Sequence, residues 1–316
     1  MQYNKLKNIT NPVGPAYLLV PELSLLEVLP KHIRSRFSAA LAQLHHQLAE
    51  AVSWQQVATN CAISPYHFHR QFSKLFNETP GQYLSRLRLQ HAVSALLQDN
   101  HQSVTDIALR CGYSSSQALG KVLKRDIGLS ATAIRAMAQH ATPAETALLL
   151  AKLAHPSASL SALTATPPSL EQQLAQTMPT ELRWYPKRGY QNLPHSNPDW
   201  DNLWLEHQDK TLHLLVCTPI NELNLPWSNM TAQVGDWQCD EARHDHSTEA
   251  GYYLCCEVLV VSDSGYLAAL EALFWQATQQ KLCINRKGQL IEMVRQLPSC
   301  REQGVVFSFQ LPIVME

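Results

Sequence analysis

The sequence predicts a multidomain protein: an all-α double helix-turn-helix domain followed by an α+β domain of two β-α-β-β units. Three observations carry this. Apolar residues recur at helical spacing up to about residue 140 and at period two beyond Pro179. The first part repeats itself at an offset of fifty residues. Charge is also split unevenly: of 25 Lys+Arg and 26 Asp+Glu in 316 residues, residues 1–140 hold 14 and 7, a net of +7, which leaves −8 for residues 141–316. A basic half suits a polyanion and an acidic half avoids one. With 45% hydrophobic and 16% charged residues, the composition excludes a disordered, collagen-like or coiled-coil chain.

Residues 1–30 read as an irregular arm punctuated by Pro12, Pro15 and Pro21, with no signal-peptide core or spanning helix. In Arg34–Glu50 the apolar positions Phe37, Leu41, Leu44 and Leu48 mark a helix. Further helices are expected at about 54–60, 65–76, 81–98, 104–111, 115–126 and 131–138, and from Pro143 to about Ala154. The Pro-, Ser- and Thr-rich stretch His155–Ser169 reads as a linker, with a short helix at Leu170–Gln176. The expected domains are 1–30, 31–140, 141–178 and 179–316. Eight scattered cysteines without a secreted-scaffold spacing point to free thiols in a reducing, cytoplasmic setting.

The repeat aligns Trp54-Gln-Gln-Val-Ala58-Thr-Asn-Cys61-Ala-Ile-Ser64 with Val104-Thr-Asp-Ile-Ala108-Leu-Arg-Cys111-Gly-Tyr-Ser114. Beyond the serine the offset becomes fifty-one, matching Phe68, Arg70, Phe72 and Phe76 to Leu119, Lys121, Leu123 and Ile127. Each copy reads as a helix, a tight turn and a second helix opened by a capping serine. On the first copy's second helix Phe68, Phe72 and Phe76 point inward, while Tyr66, His69, Arg70 and Ser73 form the opposite stripe. On the second copy Leu119, Val122 and Leu123 are inward and Gln117, Gly120, Lys121 and Lys124 outward. Such side chains are either solvated helix faces or donors to base edges and phosphates; two copies on the basic half favour DNA. Arg70 offers a bidentate contact to guanine, Lys121 only a point charge. The intervening helix Gly81–Gln98 spans roughly 27 Å, set against ~34 Å between successive major-groove faces.

Residues 34–138 resemble the DNA-binding domain of the AraC/XylS family of transcription regulators. The resemblance rests on Ile63-Ser64…Phe68-His-Arg70-Gln-Phe72, Thr79-Pro80-Gly-Gln-Tyr83-Leu, Arg86-Leu-Arg88-Leu…Ala92 and Ile107-Ala…Gly112-Tyr-Ser…Leu119…Lys121…Leu123-Lys124…Gly128-Leu-Ser…Arg135. It implies a double-stranded DNA partner, RNA polymerase as a second partner, and base contacts from Tyr66, His69 and Arg70 and from Ser116, Gln117, Gly120 and Lys121. The second copy departs from the family, with Leu119 and Leu123 for aromatics, Ala131 for Pro and Ile134 for Tyr. Gly120 lies mid-helix at a cost of roughly 1 kcal/mol.

In the acidic half, strand Glu181–Tyr190, helix Asp199–Glu206 and strands Thr211–Cys217 and Thr231–Trp237 form one expected unit. Strand Tyr252–Val261, helix Gly265–Gln279 and strands Gln289–Gln296 and Val305–Ile313 form the other. Gly251-Tyr-Tyr253, Ser264-Gly265-Tyr266-Leu…Leu270-Glu-Ala-Leu, Glu292 and Phe309-Gln-Leu-Pro312-Ile resemble a GyrI-like effector-binding domain, and the whole order is similar to that of Rob-type regulators. On its strand Glu292 shares a face with Leu290 and Val294, where a carboxylate is costly to bury without a partner. The resemblance implies that it meets a cationic or polar small-molecule effector, walled by Trp204, Tyr266 and Trp275. Two readings stay open: those aromatics are pocket or core, and Glu292 serves a ligand or pairs with Arg295 or Arg183. Cys239–His246 reads as an exposed charged loop without structural-zinc spacing, and no metal or cofactor is expected. A non-enzyme is expected. A repair methyltransferase needs a Pro-Cys-His-Arg setting that Pro298-Ser-Cys300-Arg301 lacks, and hydrolysis at Glu292 has no nucleophile. A ligand-free protein-interaction module is the remaining alternative.

Overall fold

The structure, a computed structural model, describes residues 15–46, 48, 53–98, 102–156, 168–195, 198–207, 213–239, 241–296 and 304–315. The chain divides into two units, Val20–Glu171 and Met1–Leu19 with Gln172–Glu316. It therefore passes from one unit to the other twice.

The helical unit contains α1 (Pro21–Leu26), α2 (Lys31–His46), α3 (Trp54–Asn60), α4 (Pro65–Phe76), α5 (Pro80–Gln98), α6 (Val104–Arg110), α7 (Ser116–Val122), α8 (Ala131–His140) and α9 (Pro143–Ala151). Helix α10 (Leu170–Gln176) begins in it. The aromatic stripe of α4 supplies much of its core. Phe68, Phe72 and Phe76 are fully enclosed, Phe72 stacked on Phe76 and tilted against Phe68, with Phe37 of α2 at 5.2 Å from Phe68 and Tyr83 of α5 at 5.2 Å from Phe72. Each such ring stabilises by about 1.5–3 kcal/mol through burial. Leu26 and Leu29 join this core, so the arm expected over residues 1–30 is ordered in its described part. Expected linker residues are ordered as well: Thr142 and Glu145 form a capping box that starts α9. Of the expected linker, residues 157–167 lie outside the described residues.

The two helix-turn-helix copies share their turns. Ser53 and Ser103 cap α3 and α6, and Ala62 (φ 55) and Gly112 (φ 77) take the same left-handed step after them. Ser64 caps α4, but α7 is capped by Ser115, one residue later than the aligned Ser114. That single residue accounts for the offset growing from fifty to fifty-one. After Val122 the helix widens into one π turn, Leu123–Ile127, closed by left-handed Gly128 where α4 is closed by left-handed Asn77.

The second unit is built on a sheet of β1 (Tyr17–Leu19), β2 (Glu181–Tyr185), β3 (Arg188–Asn192), β4 (Leu214–Pro219), β5 (Gln233–Asp236), β6 (His246–Thr248), β7 (Gly251–Val260), β8 (Cys283–Ile284), β9 (Gln289–Gln296) and β10 (Val305–Val314). Its order is β1-β7-β10-β9-β4-β5-β3-β6, with β2 also on β7 and β8 on β10. The expected single strand Glu181–Tyr190 is two strands, because Pro186 interrupts it: β2 pairs with β7, β3 with β5 and β6. β1 lies parallel to the far end of β7, a pairing with no signal in the sequence.

Helices α11 (Trp200–Glu206) and α12 (Asp263–Gln279) belong to this unit, and α12 packs on β7 and β10. Period two sorts the strands into two cores. Cys256, Val258, Val294, Phe307 and Phe309 face the helices; Cys255, Tyr253, Ile291, Met293 and Cys217 face the other way. Adjacent Cys255 and Cys256 therefore take opposite faces. Among the described residues no helix is long and apolar enough to cross a membrane.

Candidate DNA interface and a buried carboxylate

Helix α4 opens on Ser64 with Pro65 at its first turn, and its buried phenylalanines fix which face is left outside. Tyr66, His69 and Arg70 are exposed, Tyr66 at 77%. His69 also packs its ring on Trp54 of α3, centroids 5.4 Å apart, which holds it against the scaffold. Ser73 does not belong with them. It is half-buried and its hydroxyl is enclosed.

On α7, Gln117 and Lys121 are exposed, and Ser116 and Gly120 are half-buried. A methyl group at Gly120 would meet nothing within 4 Å, so the space over that face is open. Lys124 is exposed but its Nζ donates to the Gly128 carbonyl at 3.1 Å, closing the π turn. The first copy thus presents a tyrosine, an arginine and a histidine held against Trp54; the second presents an amide and one ammonium.

In the sheet unit Glu292 is 6% exposed, between Val216 of β4 and Phe309 of β10 in the ladder. Its Oε2 accepts from the Tyr266 hydroxyl and from Trp200 Nε1 at 3.2 Å. Burial pushes its carboxyl above the usual range, and the two hydrogen bonds pull the other way. The ion pairs expected as an alternative are made elsewhere: Arg295 pairs with Glu257 at 3.4 Å and Arg183 with Glu181 at 2.8 Å. Three positions along a strand put Arg295 on the face opposite Glu292.

Five rings gather near the carboxylate. Trp200 lies 6.0 Å from Trp204 and 5.0 Å from Phe307, while Tyr266 is 5.4 Å from both Phe307 and Phe309. Trp204 and Tyr266, two of the three expected walls, are among these rings. Trp275 is not: it is 48% exposed on the outer side of α12, since nine positions from Tyr266 is a half-turn out of phase. Trp200, Phe307 and Phe309 were absent from the expected set. Trp200 was findable four residues before Trp204, on one helix face. The charged segment expected as a loop instead forms a short helical turn, Glu241–Arg243, and strand β6. Among the described residues no group of three His, Cys, Asp or Glu could hold a metal ion.

Residues 57–137 match the family described as a helix-turn-helix domain. Over 118 residues, 37% of this chain, the sequence is 39% identical to the HTH-type transcriptional activator RhaS of Escherichia coli, in strains E24377A and K12 / DH10B alike. The match spans 42% of the length of these relatives. Among solved structures, the DNA-binding domain of the global transcriptional factor AdpA in complex with a target DNA is 30% identical, covering 32% of this chain and 90% of that one, with a TM-score of 0.31. SAV2435 bound to tetraphenylphosphonium is 13% identical, covering 43% and 94%, with a TM-score of 0.33.

Proposed function

We propose that this chain is a sequence-specific transcription regulator of the AraC type, reading adjacent major grooves with α4 and α7, and that its sheet unit senses a small cationic or amphipathic molecule at Glu292. The observation that carries the first half is the duplicated motif with one turn geometry, whose exposed faces hold Arg70 and His69 in one copy and Gln117 and Lys121 in the other. Sequence likeness to proteins named as transcriptional activators supports the same reading. Recruitment of RNA polymerase belongs to it.

The second half rests on a buried carboxylate that meets no cation among the described residues, ringed by aromatic faces. A GyrI-like arrangement of two β-α-β-β units agrees with the strand order. From the centre outward, β9-β10-β7 mirrors β4-β5-β3. Nothing in this reading requires catalysis.

One titration tests both halves. Full-length protein on fluorescent genomic fragments from beside its own gene should bind with an affinity that falls steeply with salt, as phosphate neutralisation demands. A panel of amphipathic cations should shift that affinity in the wild type and not in Glu292→Gln, which keeps size and hydrogen bonding but removes the charge. Salt-insensitive binding would refute the reader. A cation response equal in both proteins would refute the sensor.

A further inference from the structure

β2 and β3 are separated by only Pro186 and Lys187, yet they lie at opposite ends of the sheet order. So short a connection spans at most about 10 Å, and the sheet must curl until its ends meet. Arg188, the first residue of β3, sits at that seam. Its guanidinium carbon is 4.1 Å from the ring centre of Tyr185 on β2 and 5.4 Å from that of Tyr253 on β7.

Arg188 is only 6% exposed, and its Nε and Nη2 have no hydrogen-bond partner among the described residues. Those two N–H groups lie side by side on one edge of the guanidinium, the edge that grips both oxygens of a carboxylate. The Tyr185 ring under the guanidinium carbon and a side-chain hydrogen bond to the Tyr253 phenol hold the group, and this edge stays uncommitted. The titratable groups that face Arg188 are Tyr185, Tyr253, Cys217 and Cys255, from β2, β7 and β4. Burial pushes both thiols up to about 12 and raises both phenols, so all four are neutral at physiological pH. No carboxylate is among them. An arginine cannot shed its proton, and a buried charge without a counter-charge is strongly unfavourable. An apolar chain would serve a purely stacking role at lower cost.

We propose that the Nε–Nη2 edge of Arg188 is a recognition site for a small carboxylate inside the curled sheet, on the face opposite Glu292. Ile291 and Met293, the neighbours of Glu292 on β9, point to the Arg188 side. The site therefore stands or falls separately from the cation reading. Both nitrogens are closed to solvent, so the carboxylate enters where β2 and β3 run without a ladder between them. The tyrosine rings at the seam favour a flat, aromatic acid.

Benzoate is a suitable probe on the full-length protein. Sodium benzoate should raise the melting temperature of the sheet unit by roughly 5 °C at saturation over sodium chloride of equal ionic strength. Neutral benzamide should not, and Arg188→Met should abolish the rise while keeping the stacked stem. The Arg188 Nε–H resonance of the wild type, assigned by its absence from Arg188→Lys, should move downfield with benzoate, a readout that holds if the methionine variant fails to fold. Equal effects of benzoate and chloride, a rise that survives Arg188→Met, or an unmoved Nε–H would each overturn the proposal.

Discussion

His155 lies between two buried carboxylates in the helical unit. Its Nε2 lies 2.9 Å from Glu22 Oε1 and its Nδ1 2.8 Å from Glu171 Oε1, while Glu171 also accepts the His155 backbone N–H. Tyr83 donates to Glu22, and His45 and Arg86 stand close by. Burial opposes the charged imidazole, but the carboxylates prevail and raise its pKa from 6.5 to about 9; the same pairing lowers both glutamates despite their own desolvation. A raised histidine pKa means stability that is complete below pH 6.5 and lost as pH climbs through 9. The lowered glutamates contribute stability above about pH 4.5 and lose it in acid. The unit should therefore be most stable near pH 5–6.5 and lose on the order of 2–3 kcal/mol by pH 9.5. His155→Gln should be less stable at pH 6, by roughly 3–5 kcal/mol for two stranded carboxylates, and flat over that alkaline range. Urea melts at several pH values decide it; a variant that keeps the wild-type slope would remove His155 as its source. None of this was legible in the sequence, where His155 and Glu171 bracket an expected linker and Glu22 belongs to an expected arm. The pairs that His155 makes, 133 positions back to Glu22 and 16 forward to Glu171, leave no periodic trace.

Elements were more legible, and for a physical reason: each carries its own signal. Helix ends were marked by capping serines and strand faces by alternation, so α4, α5, α12 and β9 fall where the residues place them. What failed was β1, whose pairing leaves no local signal, and two local signals passed over, the break at Pro186 and the half-turn phase of Trp275. The repeat adds a test at this scale. The same left-handed turn position is Ala62 in the first copy and Gly112 in the second. Alanine there bears roughly 1–2 kcal/mol of backbone strain, so Ala62→Gly should stabilise the first copy by up to about 1 kcal/mol once chain entropy is deducted. The reverse change is not symmetric. A Cβ at Gly112 would sit 2.3 Å from the Leu48 carbonyl and 2.7 Å from Arg88 Nε, which itself donates to that carbonyl at 3.0 Å. Gly112→Ala should cost about 3 kcal/mol or more, since strain, overlap and a displaced hydrogen bond coincide. Comparable small effects at both positions in a denaturant series would mean that the Leu48 carbonyl and Arg88 yield to a Cβ and that the asymmetry is wrong.

At the scale of the whole chain, the division does not fall near residue 140: the helical unit runs from Val20 to Glu171, and the sheet unit takes a second piece from before Val20. Leu19 is fully buried in the core of the sheet unit, while Leu26 and Leu29, seven and ten residues on, are buried in the helical core. Glu171 closes the helical network, and Ala175, in the same helix, is buried in the sheet unit's core. Composition could not reveal this, because the shift in texture at Pro179 reports where strands begin, not which residues a core recruits. The consequence is measurable in fragments. Residues 31–140 contain both reading helices and should still bind DNA, but they lack Leu26, Leu29 and the Glu22 partner of the buried Tyr83 hydroxyl. Two leucines contribute about 1.5–3 kcal/mol each, while the Tyr83 hydroxyl keeps His45 Nε2 at 2.9 Å. A fragment of residues 20–171 should therefore be more stable than 31–140 by at least about 3 kcal/mol, with a larger urea m-value from the additional surface it buries. Matching midpoints and slopes for the two fragments would show that α1 and the residues after α9 only rest on a core complete without them.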